Sequence, residues 1–132
     1  MSYLLDSTVL IDYAVGYKPG EEMLDRLFDQ RTDLYTCEVV TCEALSGGRG
    51  DEVKAVLGVL QALEFVALSP AGAQWAGDRR RERIQAGRGK PSTTDALIAA
   101  LAHSLGATVV TRNAKDFEAF DVPVLGYGLP GG

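Results

Sequence analysis

Residues 92–113 read STTDALIAALAHSLGATVVTRN, and this stretch contains a helix followed directly by a strand. Ser92 is a candidate N-cap, Asp95 stands three places later as in a capping box, and residues 96–102 are apolar on every side. Gly106 is a typical helix stop, and residues 108–111 are rich in β-branched side chains. A helix that is apolar all round and leads into such a strand is typical of a parallel sheet covered by helices.

Strand-like and helical runs alternate on both sides of this stretch. Strands are predicted at residues 3–5, 33–37, 65–68 and 108–111, with at most one more after residue 122. Helices are predicted over residues 9–15, 21–30, 39–46, 51–64, 71–86 and 92–105. This order predicts a three-layer α/β/α fold with a central, mostly parallel sheet.

Length and composition limit the class of protein. A chain of 132 residues with 46% hydrophobic residues suits a single domain over residues 1–132. No run approaches the roughly 18 apolar residues that a membrane span needs, and the first segment lacks the basic start of a signal peptide. We therefore expect a cytoplasmic protein with no membrane partner. The net charge of −5 argues against a protein that coats nucleic acid, but a nuclease needs an acidic metal site.

The cysteine and histidine content excludes further chemistry. Two cysteines and a single histidine cannot supply a four-ligand zinc site. We expect Cys37 and Cys42 to be buried and reduced, and His103 to have a packing or capping role. Any catalysis is therefore expected to depend on carboxylates, hydroxyl groups and bases.

Two aspartates follow predicted strands. Asp6 stands at the carboxyl end of the first strand, where ligands bind in open α/β sheets. It could also simply cap the next helix, for which Ser7 is the candidate N-cap. Asp116 follows the strand at 108–111 and could instead be a solvated turn residue paired with Lys115.

The remaining acidic candidates lie on helices. Asp95 fits a capping box, but its helix is buried nearly all round, which holds the carboxyl against the body of the domain. Glu43 could be a surface residue, and Glu38 competes with it. Five residues on a helix correspond to about 140° of rotation, so Glu38 and Glu43 cannot both face one site.

The order of these segments resembles the PIN-domain ribonucleases, in particular the VapC toxins of type II toxin–antitoxin pairs. The resemblance spans the whole chain and is carried by DSTVLI at 6–11, EALSG at 43–47, DALIAALA at 95–102 and TRNAKDF at 111–117. Many members have Asn where this chain has Thr8.

The resemblance implies an endoribonuclease that depends on Mg²⁺ or Mn²⁺. The catalytic acids it implies are Asp6, Glu43, Asp95 and Asp116, of which Asp6, Asp95 and Asp116 bind the metal. The supporting polar residues it implies are Ser7, Thr111 and Asn113. The implied partners are an RNA substrate, a VapB-type antitoxin and a second copy of the chain in a homodimer.

Electrostatics gives a reason for the metal. Four carboxylates about 6 Å apart repel by about 2–3 kcal/mol per pair at an effective dielectric constant near 20. Such a cluster is hard to explain as a structural feature. Oxygen ligands suit Mg²⁺ or Mn²⁺, and one or two such ions could activate water for attack on phosphorus.

A basic segment suggests how a polyanion is bound. Residues 79–90 have a net charge of +5, so the rest of the chain has −10. The six basic residues are Arg79, Arg80, Arg81, Arg83, Arg88 and Lys90. They could contact RNA phosphates or an acidic surface of the antitoxin, or they could form a solvated helix face.

Other classes fit less well. A receiver domain normally has adjacent acids where this chain has only Asp6, and a haloacid-dehalogenase-type phosphatase needs an aspartate at the position of Thr8. No Gly-x-Gly-x-x-Gly follows a strand, which argues against dinucleotide binding. The serious alternative is a catalytically weak PIN-like domain that binds RNA or a protein.

Overall fold

The computed structural model describes residues 1–129 and contains a five-stranded sheet in the order β3-β2-β1-β4-β5. The strands are β1 (Ser2–Leu5), β2 (Asp33–Thr36), β3 (Glu64–Phe65), β4 (Thr108–Thr111) and β5 (Val124–Gly126). All four pairings are parallel, and Leu4 on the central strand lies between Tyr35 and Val109. The predicted α/β fold with a parallel central sheet is confirmed.

Helices flank this sheet. They are α1 (Ser7–Val15), α2 (Lys18–Asp29), α3 (Glu38–Leu45), α4 (Gly50–Gln61), α5 (Pro70–Gln85) and α6 (Thr93–Leu105). Helix α1 packs on α2, α3 and α4, whereas α5 packs on α6. The chain runs from β1 to β3 in one direction along the sheet and from β3 to β4 in the other. Right-handed crossovers therefore place the two groups of helices on opposite faces of the sheet. A 3₁₀ helix, Ala114–Phe120, connects β4 to β5 and was not predicted.

The hydrophobic core lies where β1, β4 and α6 meet. Leu4, Leu5, Val109 and Val110 are fully buried, as expected for the central strands of a parallel sheet. On α6 the apolar run 96–102 is buried apart from the half-buried Leu97, so the prediction of a nearly all-round apolar helix is confirmed.

Some boundaries and one burial prediction were wrong. Strand β3 has only two residues instead of the four predicted, and a backbone bond from Val66 N to Thr36 O follows it. It is an edge strand, and its Phe65 is 56% exposed. Cys37 is buried as predicted, whereas Cys42 is exposed on α3.

The single predicted strand after residue 122 is β5. Residues 130–132 of the predicted domain lie outside the described residues. Within residues 1–129, no helix is both long and apolar enough to cross a membrane.

Candidate active site

Asp6 directly follows β1, between β1 and β4. At this point the chain connections on the two sides of the sheet run in opposite directions. Its backbone N–H donates to Val110 O at 2.9 Å, which ties the end of β1 to β4. Its side chain is the N-cap of α1 and accepts from Ser7 N at 2.8 Å, so the prediction that Ser7 is the N-cap was wrong by one residue. The carboxyl is nevertheless at the position where open α/β sheets bind ligands.

Two hydroxyl groups hold the same oxygen of Asp6. Thr111 Oγ1 donates to Asp6 Oδ2 at 2.8 Å, and Thr8 Oγ1 donates to it at 3.1 Å. These hydroxyls also accept from the backbone of the following loop, Thr111 from Asn113 N at 3.0 Å and Thr8 from Arg112 N at 3.2 Å. Thr8 therefore links the carboxyl of Asp6 to the loop after β4.

The two competing glutamates have different partners. Ser7 Oγ donates to Glu43 Oε1 at 3.2 Å, so Glu43 is linked to the residue next to Asp6. Glu38 instead accepts from Leu68 N, which lies after β3, at 3.1 and 3.4 Å. Glu38 thus fixes the chain beyond the edge strand, and Glu43 is the glutamate beside Asp6.

Asp95 lies in the first turn of α6 and is half-buried. Ser92 is the N-cap as predicted, and its Oγ accepts from Asp95 N at 3.0 Å. Burial raises the pKa of Asp95 to about 6, with a hydrogen bond from Ser92 opposing the shift and the charges of Asp6, Asp116 and Glu43 adding to it. The negative charges of the other three acidic side chains therefore all act on the carboxyl of Asp95.

Burial also raises the pKa of Asp6 from its usual range. The hydrogen bonds from Thr111, Ser7 N and Thr8 oppose that rise, and the nearby charge of Glu43 adds to it. A carboxyl in this setting releases its proton most readily when a cation lies beside it.

The acidic side chains fit a hard divalent cation by donor type. Carboxylate oxygens are the ligands that Mg²⁺ and Mn²⁺ prefer, and the mutual repulsion around Asp95 is what a cation would relieve. Within residues 1–129, however, no three Asp, Glu, His or Cys side chains are placed to hold an ion as they stand. The donor atoms and the concentrated negative charge therefore suit a divalent cation, but within the described residues the side chains do not already surround one.

Part of the basic segment lies beside these acids. A groove of about 380 Å³ is lined by Asp95 and Asp116 together with basic side chains. Those basic residues are Arg83, Arg88, Lys90 and Lys115. Lys115 was considered only as an ion-pair partner of Asp116, because it stands outside the 79–90 segment.

The first three arginines of the segment have other contacts. Arg79 pairs with Glu82 at 3.1 Å and Arg81 pairs with Asp78 at 2.9 Å, both on the exposed surface of α5. Arg80 Nε donates to Pro91 O at 2.9 Å and so holds the loop between α5 and α6. The basic segment is thus divided between the groove, the outer face of α5 and a loop contact.

A buried acid that sequence reasoning missed supports the loop after β4. Asp12 is 3% exposed, pairs with Arg112 Nη1 at 3.4 Å and accepts from Tyr127 Oη at 2.7 Å. Arg112 also lies over the ring of Tyr17, at 4.9 Å from its centroid. The available signal was Asp12 itself, the single charged residue of α1.

The chain is similar in sequence to known proteins. The model of the PIN domain family matches residues 3–123. Ribonuclease VapC19 of Mycobacterium tuberculosis is 27% identical over 117 residues, which are 89% of this chain and 93% of that protein.

Two solved structures are similar in fold. VapBC2 from Rickettsia felis, bound to a DNA fragment from its promoter, has a TM-score of 0.79 at 22% identity over 97% of this chain and 100% of the matched chain. DNA-bound VapBC from Salmonella typhimurium has a TM-score of 0.75 at 23% identity over 96% and 98% of the two chains.

Proposed function

The chain belongs to the PIN domain family, and from this we propose that it is a metal-dependent endoribonuclease, the toxin of a type II toxin–antitoxin pair. One observation carries the proposal: the half-buried carboxyl of Asp95 lies in the electric field of Asp6, Asp116 and Glu43. Such a concentration of negative charge is costly in a small domain unless a cation offsets it. The similarity to Ribonuclease VapC19 supports RNA as the substrate.

Each acid has a distinct role in this proposal. Asp6, Asp95 and Asp116 would hold Mg²⁺ or Mn²⁺, and a bound ion of this kind would lower the pKa of a water and stabilise the leaving oxygen. Asp6 is kept in one orientation by Thr8 and Thr111, and the loop that Thr111 orders carries Asn113. Glu43, oriented by Ser7, accepts the proton from the attacking water.

The groove binds the RNA backbone. Arg83, Arg88, Lys90 and Lys115 line it together with Asp95 and Asp116, so phosphates held by these bases pass directly over the acids. Because Arg79, Arg80 and Arg81 do not line this groove, they contribute less to phosphate binding beside the acids.

A VapB-type antitoxin is the proposed protein partner, supported by the likeness to chains solved as VapBC complexes. An apolar cleft beside α3 offers it a docking surface. Ile11 and Val15 are 39% and 56% exposed, and both line this cleft with Ala44 and Val56. Because Ala44 follows Glu43, an antitoxin segment in the cleft would lie next to the acids. Homodimerisation is also part of the proposal, on the family resemblance.

The direct test is cleavage of end-labelled RNA by purified wild-type protein, Asp6→Asn and Asp116→Asn, in Mn²⁺ and in EDTA. We expect each substitution and EDTA to slow cleavage about 100-fold or more. Asp78→Asn is the matched control, because it makes the same charge change on the exposed face of α5. Cleavage retained by Asp6→Asn and Asp116→Asn would contradict the assigned roles.

The second candidate function is binding of RNA or a protein without efficient cleavage. The observation that favours it is the absence, within residues 1–129, of acidic side chains already placed around an ion. If the RNA binds but stays uncleaved in Mn²⁺ at every protein concentration, that result would favour this second function.

A further inference from the structure

A second pocket adjoins the groove across the 3₁₀ helix. It has a volume of about 370 Å³ and lies between α5, α6 and the end of the 3₁₀ helix. Ala119 lines both the groove and this pocket, so the two are neighbours. The pocket is lined by Trp75, Arg79, His103, Ala119, Phe120 and Asp121.

One wall of the pocket is an aromatic stack. The rings of Trp75 and His103 are nearly parallel, with centroids 4.8 Å apart and 15° between their planes. The guanidinium carbon of Arg79 lies over the Trp75 ring at 5.1 Å. Aromatic faces and stacked arginines are the surfaces on which unpaired nucleic-acid bases bind.

An acidic residue, Asp121, also lines the pocket. This residue ends the 3₁₀ helix with a φ of 54°, a conformation uncommon for a residue with a side chain. A carboxylate presents two acceptors side by side. On its Watson–Crick edge guanine presents two adjacent donors, N1–H and N2–H₂. Adenine, cytosine and uracil each present a single donor group there, with an acceptor beside it.

We propose that this guanine pocket, formed by the six residues above, binds an unpaired guanine of the RNA beside the phosphate that is cleaved. The inference rests on the proposed ribonuclease function, whose substrate it specifies. Asp121 accepts from the guanine edge, and the Trp75–His103 stack supports the base.

The path of the strand supports the same assignment. Arg79 and Arg83 are four residues apart on α5 and so lie next to each other on its surface. Arg79 lines the guanine pocket, and Arg83 lines the groove with Asp95 and Asp116. A single strand whose phosphates follow α5 therefore reaches both sites. The Arg79–Glu82 pair is exposed, so exchanging it for a phosphate contact costs little.

The test uses the fluorescence of Trp75, which is the single tryptophan of the chain. Pentanucleotides UUGUU, UUAUU, UUCUU and UUUUU are titrated into the full chain in EDTA, so that binding is measured without cleavage. We expect UUGUU to quench the fluorescence and to bind about tenfold more tightly than the other three.

Asp121→Asn is the diagnostic variant. Asparagine tolerates the positive φ, but one of its two terminal atoms is a donor, so the match to guanine is lost. We expect UUGUU to bind the variant about tenfold more weakly, with the other pentanucleotides unchanged. Asp78→Asn, with the same charge change elsewhere on the surface, should keep the preference.

Equal binding of all four pentanucleotides, or a preference that survives Asp121→Asn, would overturn the guanine pocket. So would fluorescence that responds to protein concentration instead of RNA, since a second copy of the chain would then occupy the surface. Cleavage in Mn²⁺ is measured separately. Cleavage without a guanine preference defeats this inference alone, whereas guanine-selective quenching with no cleavage of any RNA defeats the proposed function alone.

Discussion

The carboxyl of Asp6 combines a structural and a chemical role. As N-cap it accepts from Ser7 N, and two threonine hydroxyls fix its Oδ2. Burial raises its pKa, and these hydrogen bonds keep the shift smaller than burial alone would make it. A helix cap and a ligand site were alternatives at the level of sequence, but one carboxylate can serve both: it has about four acceptor positions, and the three hydrogen bonds use three of them.

Thr111 tests how much this anchoring matters. Its hydroxyl is fully buried, donates to Asp6 and accepts from Asn113 N. Thr111→Val removes the hydroxyl, so Asp6 Oδ2 and Asn113 N each lose a hydrogen bond. We therefore expect the free energy of unfolding in urea to fall by about 1–3 kcal/mol. Thr111→Ser keeps the hydroxyl and should lose less than Thr111→Val. Equal stability of the two variants would show that the hydroxyl contributes nothing.

Asp95 gives a prediction about pH. Its pKa in the folded protein is about 6 against an ordinary value of 3.8, so the folded state keeps the proton where the unfolded state has lost it. Its contribution to stability is therefore full below about pH 4 and is lost as the pH rises through 6. In EDTA we expect Asp95→Asn to be more stable than the wild type above pH 6, with the difference shrinking towards pH 4.

Urea unfolding of both proteins from pH 4.5 to 8 measures this difference. The difference reports the titration of Asp95 together with the change that loss of its charge causes at the neighbouring acids. Asp78→Asn, which removes an exposed acid from α5, is the charge-matched control. A difference for Asp95→Asn that grows towards low pH would contradict the sign of the shift.

At the scale of elements, the sequence predicted best where one physical signal dominates. Strand β4 and helix α6 agree with prediction within one residue, because an apolar run is bounded by Ser92 and Gly106. Helix α2 begins at Lys18, three residues before its predicted start, because Pro19 occupies its first turn instead of breaking it. The 3₁₀ helix lacks a distinctive periodicity, and β3 depends on pairing with β2, which no local pattern encodes.

The acidic residues of the candidate site could be chosen from motifs and strand ends, but their bonding partners could not. Thr8 and Thr111 meet at Asp6 across more than one hundred residues of chain, and only the pairing of β1 with β4 brings them together. The basic segment shows the same limit. Composition identifies it, whereas the phase of α5 and the course of the loop after it decide which of its bases reach the groove.

The placement of the basic side chains predicts which of them bind RNA. Replacing Arg83, Arg88 and Lys90 together with Gln removes three of the bases that line the groove. We expect RNA affinity to fall and the slope of log Kd against log salt to decrease by about 2, since each phosphate contact contributes about 0.7 for single strands. Filter binding in EDTA at several salt concentrations measures the slope.

The matched control is Arg26→Gln, Lys54→Gln and Arg81→Gln, which removes the same charge from exposed positions away from the groove. A purely long-range effect of net charge would weaken RNA binding equally in the two triple variants. A larger loss in the control would contradict the placement of RNA in the groove.

At the scale of the whole molecule, the net charge of −5 hides two opposite regions. Residues 79–90 have +5 and the rest of the chain has −10, and the groove is where basic and acidic side chains meet. A metal ion would reduce the repulsion among the acids and also strengthen the attraction for phosphate. Charge, stability and substrate binding are thus expected to change together when the ion binds.

Metal addition is accordingly the prediction for the molecule as a whole. A ligand that binds the folded state stabilises it by about 2.7 kcal/mol at 100 times its Kd, so millimolar Mn²⁺ should raise the Tm measured in EDTA-treated protein by several degrees. Asp95→Asn should start from a higher Tm without metal at pH 7.5 and gain less from Mn²⁺, because it removes a ligand and a repulsive charge together. Asp78→Asn should respond to Mn²⁺ as the wild type does. If the wild-type Tm is unchanged by Mn²⁺ while Asp95→Asn is still the more stable protein, the acids repel as described but do not bind a metal, and the roles assigned to Asp6, Asp95 and Asp116 fail.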